Sequence, residues 1–295
     1  MIKCFNKLEG LKPNTIKTYK NAILKLCKEH CGHDFENLDF LNNFDEVMKT
    51  INKIQNLETR KTRINICVVL LRNNEYDENL VKQYQEQLQN LRKQIMDNYE
   101  ENKKSEKEND NWISWEDVLK VREKVKKSIQ TPFDFQKYVI MCIYTMLPPL
   151  RNTYTDVKIL HHSRHVKTGN YLLITKKTKR FIFHEYKTEN CYGRIETLVP
   201  KDLSKVLDEW LKINKSDNLL VSADMETPMS NNAFTQLLQK IFLKYTDKKI
   251  GTQMLRKIFI SENVDGKMNF KNKKRIARKM HHSFITQQCI YNKLD

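Results

Sequence analysis

The chain has 295 residues, of which 39% are hydrophobic and 30% are charged. At roughly 100–200 residues per domain this length favours two domains, and the composition excludes a wholly disordered chain. No run approaches the roughly 18 apolar residues of a membrane-spanning helix, and the first residues lack the apolar segment of a signal peptide. We therefore expect an intracellular protein without a membrane partner, whose seven scattered cysteines are reduced thiols.

The net charge of +17 is distributed unevenly along the chain. Residues 111–295 carry about +16 of it and residues 1–110 only about +1. A basic half of this size indicates a polyanionic partner, most often nucleic acid. The alternatives are an acidic membrane surface, for which no basic amphipathic helix or lipidation signal is evident, and a merely solubilising lysine-rich surface.

Residues 1–100 are predicted to form a helical domain. Apolar residues at helical spacing predict four helices, over 12–31, 43–55, 57–73 and 78–99. Asn14 or Thr15 is expected to cap the first helix. Residues 101–111 contain no apolar side chain, and we therefore predict a linker there.

Residues 112–295 are predicted to form a second, mixed domain. Ser114 is expected to cap its first helix, and a strongly apolar helix over about 133–147 ends before two prolines. Between 170 and 200, short β-branched and aromatic runs predict three antiparallel strands. Further helices are predicted over 201–214, 230–246, 252–264 and 271–280. The expected fold is mainly α-helical with a small three-stranded antiparallel sheet.

Five side chains in this second half are candidates for chemistry. Arg151 follows the apolar helix, Lys187 lies in a turn between two predicted strands, and Arg256 lies near the start of a later helix. His282 and Tyr291 are nine residues apart. Each taken alone has an ordinary structural explanation, such as a helix cap, a solvated turn or a packed aromatic ring.

In this order, however, the five side chains resemble the motif of the tyrosine recombinases, a phage-integrase-like family of DNA breaking and rejoining enzymes. The family has an arginine after an apolar helix, a hairpin lysine, a His-x-x-Arg box, and a His or Trp nine residues before its tyrosine. Here the box is Gln253-Met-Leu-Arg256, and residues 14–26 resemble the opening helix of the family's DNA-clamping domain. The Leu-Pro-Pro-Leu-Arg and Tyr-Lys-Thr segments resemble recombinases of large eukaryotic DNA viruses and their mobile elements.

The resemblance implies a site-specific recombinase or integrase that cuts and rejoins duplex DNA through a covalent 3′-phosphotyrosyl intermediate. Tyr291 would be the nucleophile, and Arg151 and Arg256 would bind the non-bridging phosphate oxygens. His282 would contact the phosphate or take the phenol proton, and Lys187 would protonate the departing 5′-oxygen. Residues 1–100 would be the core DNA-binding domain and 112–295 the catalytic domain of a two-domain clamp. No metal or other cofactor is expected.

Gln253 departs from the family pattern, because a histidine is usual there. An amide can donate a hydrogen bond to a phosphate but cannot exchange a proton at neutral pH. Two alternatives therefore stay open: a type IB DNA topoisomerase, which has a similar set of residues, and a catalytically impaired DNA-binding protein of the same fold. Topoisomerases of that type usually begin with a β-rich domain, whereas residues 12–99 are predicted to be helical.

Two basic runs are predicted to contact DNA phosphates, which position a protein without specifying sequence. They contribute Lys176, Lys177, Lys179, Arg180, Lys271, Lys273, Lys274, Arg275, Arg278 and Lys279. A solvated helix face is the alternative interpretation of the second run.

Helix geometry adds a condition on the last motif. In one continuous helix, His282 and Tyr291 would be about 13 Å apart and on opposite sides, so they could not share a phosphate. We therefore predict a break between them, with Ser283 or Thr286 capping a new short helix.

The partner is expected to be double-stranded DNA, on which the protein would assemble as a dimer or tetramer. Family members commonly bury a C-terminal helix in a neighbouring subunit. Only four residues follow Tyr291, so such an exchange is not expected here. A viral or eukaryotic source would place the protein in the host nucleus or viral factory, and any other source in the cytoplasm.

Overall fold

The computed structural model describes residues 3–6, 8, 10–161, 168–264 and 267–293. The chain divides into two compact units, Met1–Glu101 and Asn102–Asp295. Leu294 and Asp295, the last two residues of the short predicted tail, lie outside the described residues.

The first unit is built from helices. They are α1 (Pro13–Cys31), α2 (Phe44–Asn52), α3 (Leu57–Asn73) and α4 (Glu78–Glu100), with short 3₁₀ turns at Lys3–Phe5 and Asp39–Asn42. All four helices lie where the apolar periodicity predicts them. The start of α1 differs, because Lys12 precedes the helix without a side-chain cap and Pro13 occupies its first turn. Proline lacks the N–H that a cap would satisfy, so Asn14 and Thr15 lie inside the helix instead.

One apolar core holds the first unit together. Its fully buried members include Ile23, Ile51, Leu70 and Tyr84, one from each helix. The hydroxyl of Tyr84 donates to the Leu41 carbonyl at 3.0 Å, which satisfies the only polar atom of that side chain.

Part of the segment predicted as a linker is helical: α5 spans Glu106–Asn111. Ser105 and Glu108 form a reciprocal capping box, and the Glu108 carboxylate pairs with the ammonium of Lys257. Capping and an ion pair, rather than an apolar face, therefore stabilise this short helix. Apolar periodicity gave no sign of it.

The second unit contains the remaining helices. They are α6 (Trp115–Lys127), α7 (Pro132–Met146), α8 (Glu189–Tyr192), α9 (Lys201–Ile213), α10 (Asn231–Thr246), α11 (Thr252–Asn263), α12 (Phe270–Lys279) and α13 (Phe284–Thr286), with a 3₁₀ turn at Asn152–Asp156 and a π-helical turn at Gln287–Tyr291. Ser114 caps α6 as predicted, its hydroxyl accepting from the Asp117 N–H at 3.0 Å. Most of α7 is buried, as its continuous apolar sequence indicates.

The sheet has four strands and is mixed, so the prediction of three antiparallel strands was wrong. The strands are β1 (Val157–His161), β2 (Asn170–Ile174), β3 (Lys179–Phe183) and β4 (Ile195–Leu198), in that spatial order. The three predicted strands are antiparallel, and β1 pairs in parallel with β2. On its other side β1 bonds to the segment after α9: the Ile159 N–H donates to the Asp217 carbonyl and the Leu219 N–H to Val157.

The missed strand has a physical explanation. Only Val157 of β1 is buried, so the strand lacks the alternation of buried and exposed positions on which the sequence prediction rests. Among the described helices, none is both long enough and apolar enough to cross a bilayer.

Candidate active site

Arg151 lies five residues after the end of the buried α7 helix and is bonded back to it. Its carbonyl accepts a 2.6 Å hydrogen bond from the hydroxyl of Tyr144, which lies seven residues earlier in the last turn of that helix. The next residue, Asn152, accepts a 3.0 Å bond from the hydroxyl of Thr252, the first residue of α11. The segment that carries Arg151 is therefore fastened to the helix that carries Gln253 and Arg256.

Arg256 is completely buried and joins three segments of the chain. One of its terminal nitrogens, Nη1, donates to the carbonyls of Pro149 and Met280 at 2.9 and 3.0 Å. The guanidinium carbon lies 4.6 Å from the centre of the Tyr291 ring, a cation–π contact. Burial lowers the pKa of Arg256 to about 10, with a smaller contribution from the nearby charge of Arg151, so the side chain stays cationic at neutral pH.

The chain breaks between His282 and Tyr291 as helix geometry requires. Helix α12 ends at Lys279, and His281 adopts a left-handed conformation with φ of 57°. Ser283 then caps α13, its hydroxyl accepting from the Thr286 N–H at 3.0 Å. The rings of His282 and Tyr291 are consequently 4.9 Å apart, far closer than one helix permits, and the prediction of a break capped by Ser283 is confirmed.

The hydroxyl of Tyr291 bonds to two of the predicted site residues. It donates to Oε1 of Gln253 at 3.1 Å and accepts from Nη2 of Arg151 at 3.2 Å. The tyrosine ring is buried in a small apolar cluster with Ile260 and Met280. Gln253 is exposed and Arg151 partly so, which means that the hydroxyl is held by side chains that reach solvent.

His282 is buried as a neutral imidazole. Burial lowers its pKa to about 3, and the charges of Arg256 and Arg151 act in the same direction. Its Nδ1 lies 3.0 Å from the Ser283 carbonyl, which can only accept, so the ring proton is on Nδ1. The other nitrogen, Nε2, is then a lone-pair acceptor, and it is buried without a hydrogen-bond partner.

The cluster has unused donors and no counter-ion. Nε of Arg151 and both Nε and Nη2 of Arg256 are buried without partners. Across the described ranges, no Asp or Glu forms an ion pair with either arginine. Buried cations are normally paired, because removing an ion from water costs several kcal/mol. Two adjacent guanidiniums with free donors therefore form a site suited to an anion.

Lys187 is connected to this cluster through its neighbour in the chain, Thr188. It lies in a turn within the connection from β3 to β4, which covers residues 184–194, and its side chain is exposed. The hydroxyl of the following residue, Thr188, donates to the His281 carbonyl at 2.8 Å. The connection is therefore bonded to the segment that precedes His282, although no hydrogen bond or ion pair joins Lys187 itself to the other described site residues.

The predicted DNA-contacting residues differ in their surroundings. Lys176 and Lys177 are exposed in the turn from β2 to β3, and most of the predicted α12 cations are exposed too, namely Lys271, Lys274, Arg275, Arg278 and Lys279. Arg180 is half-exposed and pairs with Glu196, and Lys273 is partly buried. Lys179 is different, because it is buried and bonds to Asp208 and Ser204 at 2.7 Å each. Its ammonium is used inside the protein and does not belong to the surface proposed to meet DNA.

Sequence reasoning missed the residues that hold the cluster in place. Thr252, Thr188 and His281 each bond or pack against a segment that carries a candidate residue. A threonine at the first position of a helix gives no such signal in one sequence. A histidine directly after a helix, where glycine is usual, is the one local sign that was present. Within the described part of the chain, no group of three or more His, Cys, Asp or Glu residues could hold a metal ion.

Comparison with known proteins gives little beyond this geometry. No family model matches the chain, and no curated protein matches it. Among solved structures, the crystal structure of XerA recombinase is similar over 100% of this chain and 93% of its own, with a TM-score of 0.46 and 12% identity. At those values the chemistry of the site has to be argued from its side chains alone.

Proposed function

We propose that this protein breaks and rejoins duplex DNA, with Tyr291 as the nucleophile that becomes linked to a 3′-phosphate. The observation that carries the proposal is the meeting of Arg151, Arg256, His282 and Gln253 around Tyr291, with guanidinium donors unpartnered. These residues match a sequence motif, but a motif does not bring side chains together in space, and the contacts around Tyr291 are therefore independent support. Sequence places them up to 140 positions apart.

A phosphodiester is the anion that this cluster fits best. Its two non-bridging oxygens can accept from Nε of Arg151 and from Nε and Nη2 of Arg256. Gln253 accepts from the tyrosine through Oε1, which leaves its NH₂ group to donate to the same phosphate. Charge develops on these oxygens in the transition state, where fixed donors in a buried site have their greatest effect.

The reaction then balances without an external reactant. Oη of Tyr291 forms a bond to phosphorus, the bond from phosphorus to the 5′-oxygen breaks, and Nε2 of His282 takes the phenol proton, because the bound phosphate offsets the guanidinium charges that help to lower the pKa of this ring. Lys187 gives a proton to the departing 5′-oxygen. The product is again a phosphodiester, now between Oη of Tyr291 and the 3′-oxygen of the DNA. A 5′-hydroxyl from a second strand can therefore attack this phosphorus, release the tyrosine and rejoin the DNA.

The two alternatives are distinguishable. A type IB topoisomerase would relax supercoiled plasmid of any sequence, whereas a recombinase would join two defined sites. The helical first unit, α1–α4, favours the recombinase, in which a helical clamp domain is expected. A binding protein without catalysis would hold DNA but form no covalent link. We propose the site-specific recombinase, acting on double-stranded DNA as an assembly of two or four copies.

A pool of duplex oligonucleotides with a randomised centre tests the proposal. Wild type is incubated with the pool, the mixture is denatured, and DNA that stays attached to protein is recovered and sequenced. We expect adducts with wild type and none with Tyr291→Phe, which removes only the nucleophilic oxygen. Equal adducts with both proteins, or none with wild type despite DNA binding, would refute covalent chemistry at this tyrosine.

A further inference from the structure

We propose that Thr188 and His281 form a clamp that positions Lys187 for its proton transfer, an inference that rests on the proposed function. Both chain neighbours of Lys187 contact His281. The Thr188 hydroxyl donates to the His281 carbonyl at 2.8 Å, and the Tyr186 ring lies 4.4 Å from the His281 ring. Lys187 lies between these two contacts, so its backbone is fixed next to the segment that carries His282.

The hydrogen bond from Thr188 to His281 takes the place of the usual N-cap hydrogen bond of a threonine. Thr188 stands at the N-cap of α8, where a threonine hydroxyl usually accepts from an N–H of the first helical turn. No such bond is present, because the hydroxyl points instead to the end of α12. A residue suited to local capping thus connects two distant segments.

The conformation of His281 supports the same interpretation. The His281 N–H donates to Arg278 at 3.0 Å and the His282 N–H to Ala277 at 3.2 Å, a helix ending in which glycine usually takes the left-handed position. A histidine there is strained, because its Cβ crowds the backbone in the left-handed conformation. The ring is instead packed against Phe183 and Tyr186, at 5.0 and 4.4 Å. The strain is therefore maintained by contacts with β3 and with the Lys187 connection.

The rest of the connection is anchored as well. The Asn170 side chain accepts from the His184 and Glu185 N–H groups, and the Tyr186 hydroxyl donates to the Gly193 carbonyl at 2.6 Å. The first two bonds fix the start of the connection to β2, and the third joins Tyr186 to the end of the same connection. The contacts with His281 are the ones that tie its centre, where Lys187 lies, to the active-site segment.

Two threonine variants separate positioning from folding. Thr188→Val removes the hydroxyl at similar volume, and Thr188→Ser keeps it. In the free protein, amide hydrogen exchange over residues 184–194 should be about tenfold faster in Thr188→Val, while Thr188→Ser stays close to wild type, since only the first loses the bond. Unchanged exchange in Thr188→Val would overturn the clamp.

The chemical test uses a duplex recovered from the wild-type adducts, made with either oxygen or sulfur bridging to the 5′-carbon at the cleaved position. A thiol has a pKa of about 8.5, so a 5′-thiolate leaves without a proton donor. With oxygen, Thr188→Val should cleave about tenfold more slowly than wild type, and Lys187→Ala about a hundredfold. With sulfur, both defects should largely disappear, and Thr188→Val should add nothing in a Lys187→Ala background.

The outcomes distinguish the two proposals. If wild type cleaves and the Thr188→Val defect is as large with sulfur as with oxygen, the residue does not act through Lys187 and the clamp is refuted. If wild type forms no adduct with any duplex, the proposed function fails and the donor role of Lys187 with it. In that case, amide hydrogen exchange in the free Thr188→Val protein still tests whether the bond between Thr188 and His281 holds the connection in place.

Discussion

Arg256 combines a structural and a chemical task in one side chain. Its Nη1 joins the carbonyls of Pro149 and Met280, while Nε and Nη2 are left for a ligand. Arg256→Lys cannot do both, because an ammonium lacks the planar fork. We expect its free energy of unfolding to fall by about 1–3 kcal/mol. Its rate of adduct formation should fall by about 10² or more.

Arg151 is the matched comparison, because it is partly exposed and, among the described residues, its guanidinium donates to Tyr291 alone. Arg151→Lys should lower adduct formation similarly while changing stability by no more than about 0.5 kcal/mol. Urea unfolding and the rate of adduct formation on one duplex measure both quantities. Equal losses of stability in the two variants would contradict the distinct role assigned to Arg256.

His281 and His282 make the stability of the second unit depend on pH. Burial lowers the pKa of each from 6.5 to about 3. Between these values the unfolded chain binds protons that the folded protein does not, so the folded state loses stability as pH falls from about 6.5 toward 3. The loss should approach about 1.4 kcal/mol per pH unit for each histidine. Urea unfolding at several pH values measures it.

Replacement of one histidine provides the control for that pH dependence. His282→Asn should reduce the pH dependence of the free energy of unfolding by the contribution of one histidine, about 1.4 kcal/mol per pH unit. A slope that is the same in wild type and His282→Asn would show that this ring is not buried in its neutral form.

At the scale of elements, α13 decides where the nucleophile lies. Ser283 satisfies the Thr286 N–H of this short helix, which continues into the π-helical turn ending at Tyr291. Ser283→Ala should destabilise the protein by about 1 kcal/mol and slow adduct formation about tenfold, as the tyrosine loses its fixed position. Thermal or urea unfolding and adduct rates measure the two effects.

Another serine cap in the same unit provides the control. Ser114 caps α6 with the same 3.0 Å bond, so Ser114→Ala should cost similar stability. Because α6 carries none of the candidate residues, its adduct rate should stay at the wild-type value. If both variants slowed the reaction equally, a general loss of stability rather than the position of Tyr291 would explain the defect.

Elements with an apolar face could be predicted from the sequence, and those without one could not. Helix α4 begins at the predicted residue and ends one residue later than predicted, because its buried side chains recur at helical spacing. By contrast, α5 depends on a capping box and an ion pair with a residue far along the chain, and β1 depends on neighbours at both of its edges. Such elements are stabilised by tertiary partners that local patterns do not reveal.

The candidate site shows the same division. The break before Tyr291 follows from helix geometry and the presence of Ser283, and the structure contains it. That Arg256 would bind Pro149 and Met280, or that Thr188 would bond to His281, depends on the packing of segments distant in sequence. The burial of Lys179 against Asp208 was missed for the same reason, because a basic run does not show which of its members face inward.

On the scale of the whole molecule, the charge of residues 111–295 should appear as salt-dependent DNA binding. Lys271 and Arg275 are exposed one turn apart on α12, so they lie on one face. If each contacts one phosphate, Lys271→Gln with Arg275→Gln should reduce the slope of log Kd against log salt by about 2. Fluorescence anisotropy with a labelled duplex at several KCl concentrations measures that slope.

A control variant changes the net charge equally at a different surface. Lys205→Gln with Lys212→Gln, both exposed on α9, should leave the slope nearly unchanged. Equal changes in the two double variants would mean that overall charge, not the α12 surface, governs the affinity.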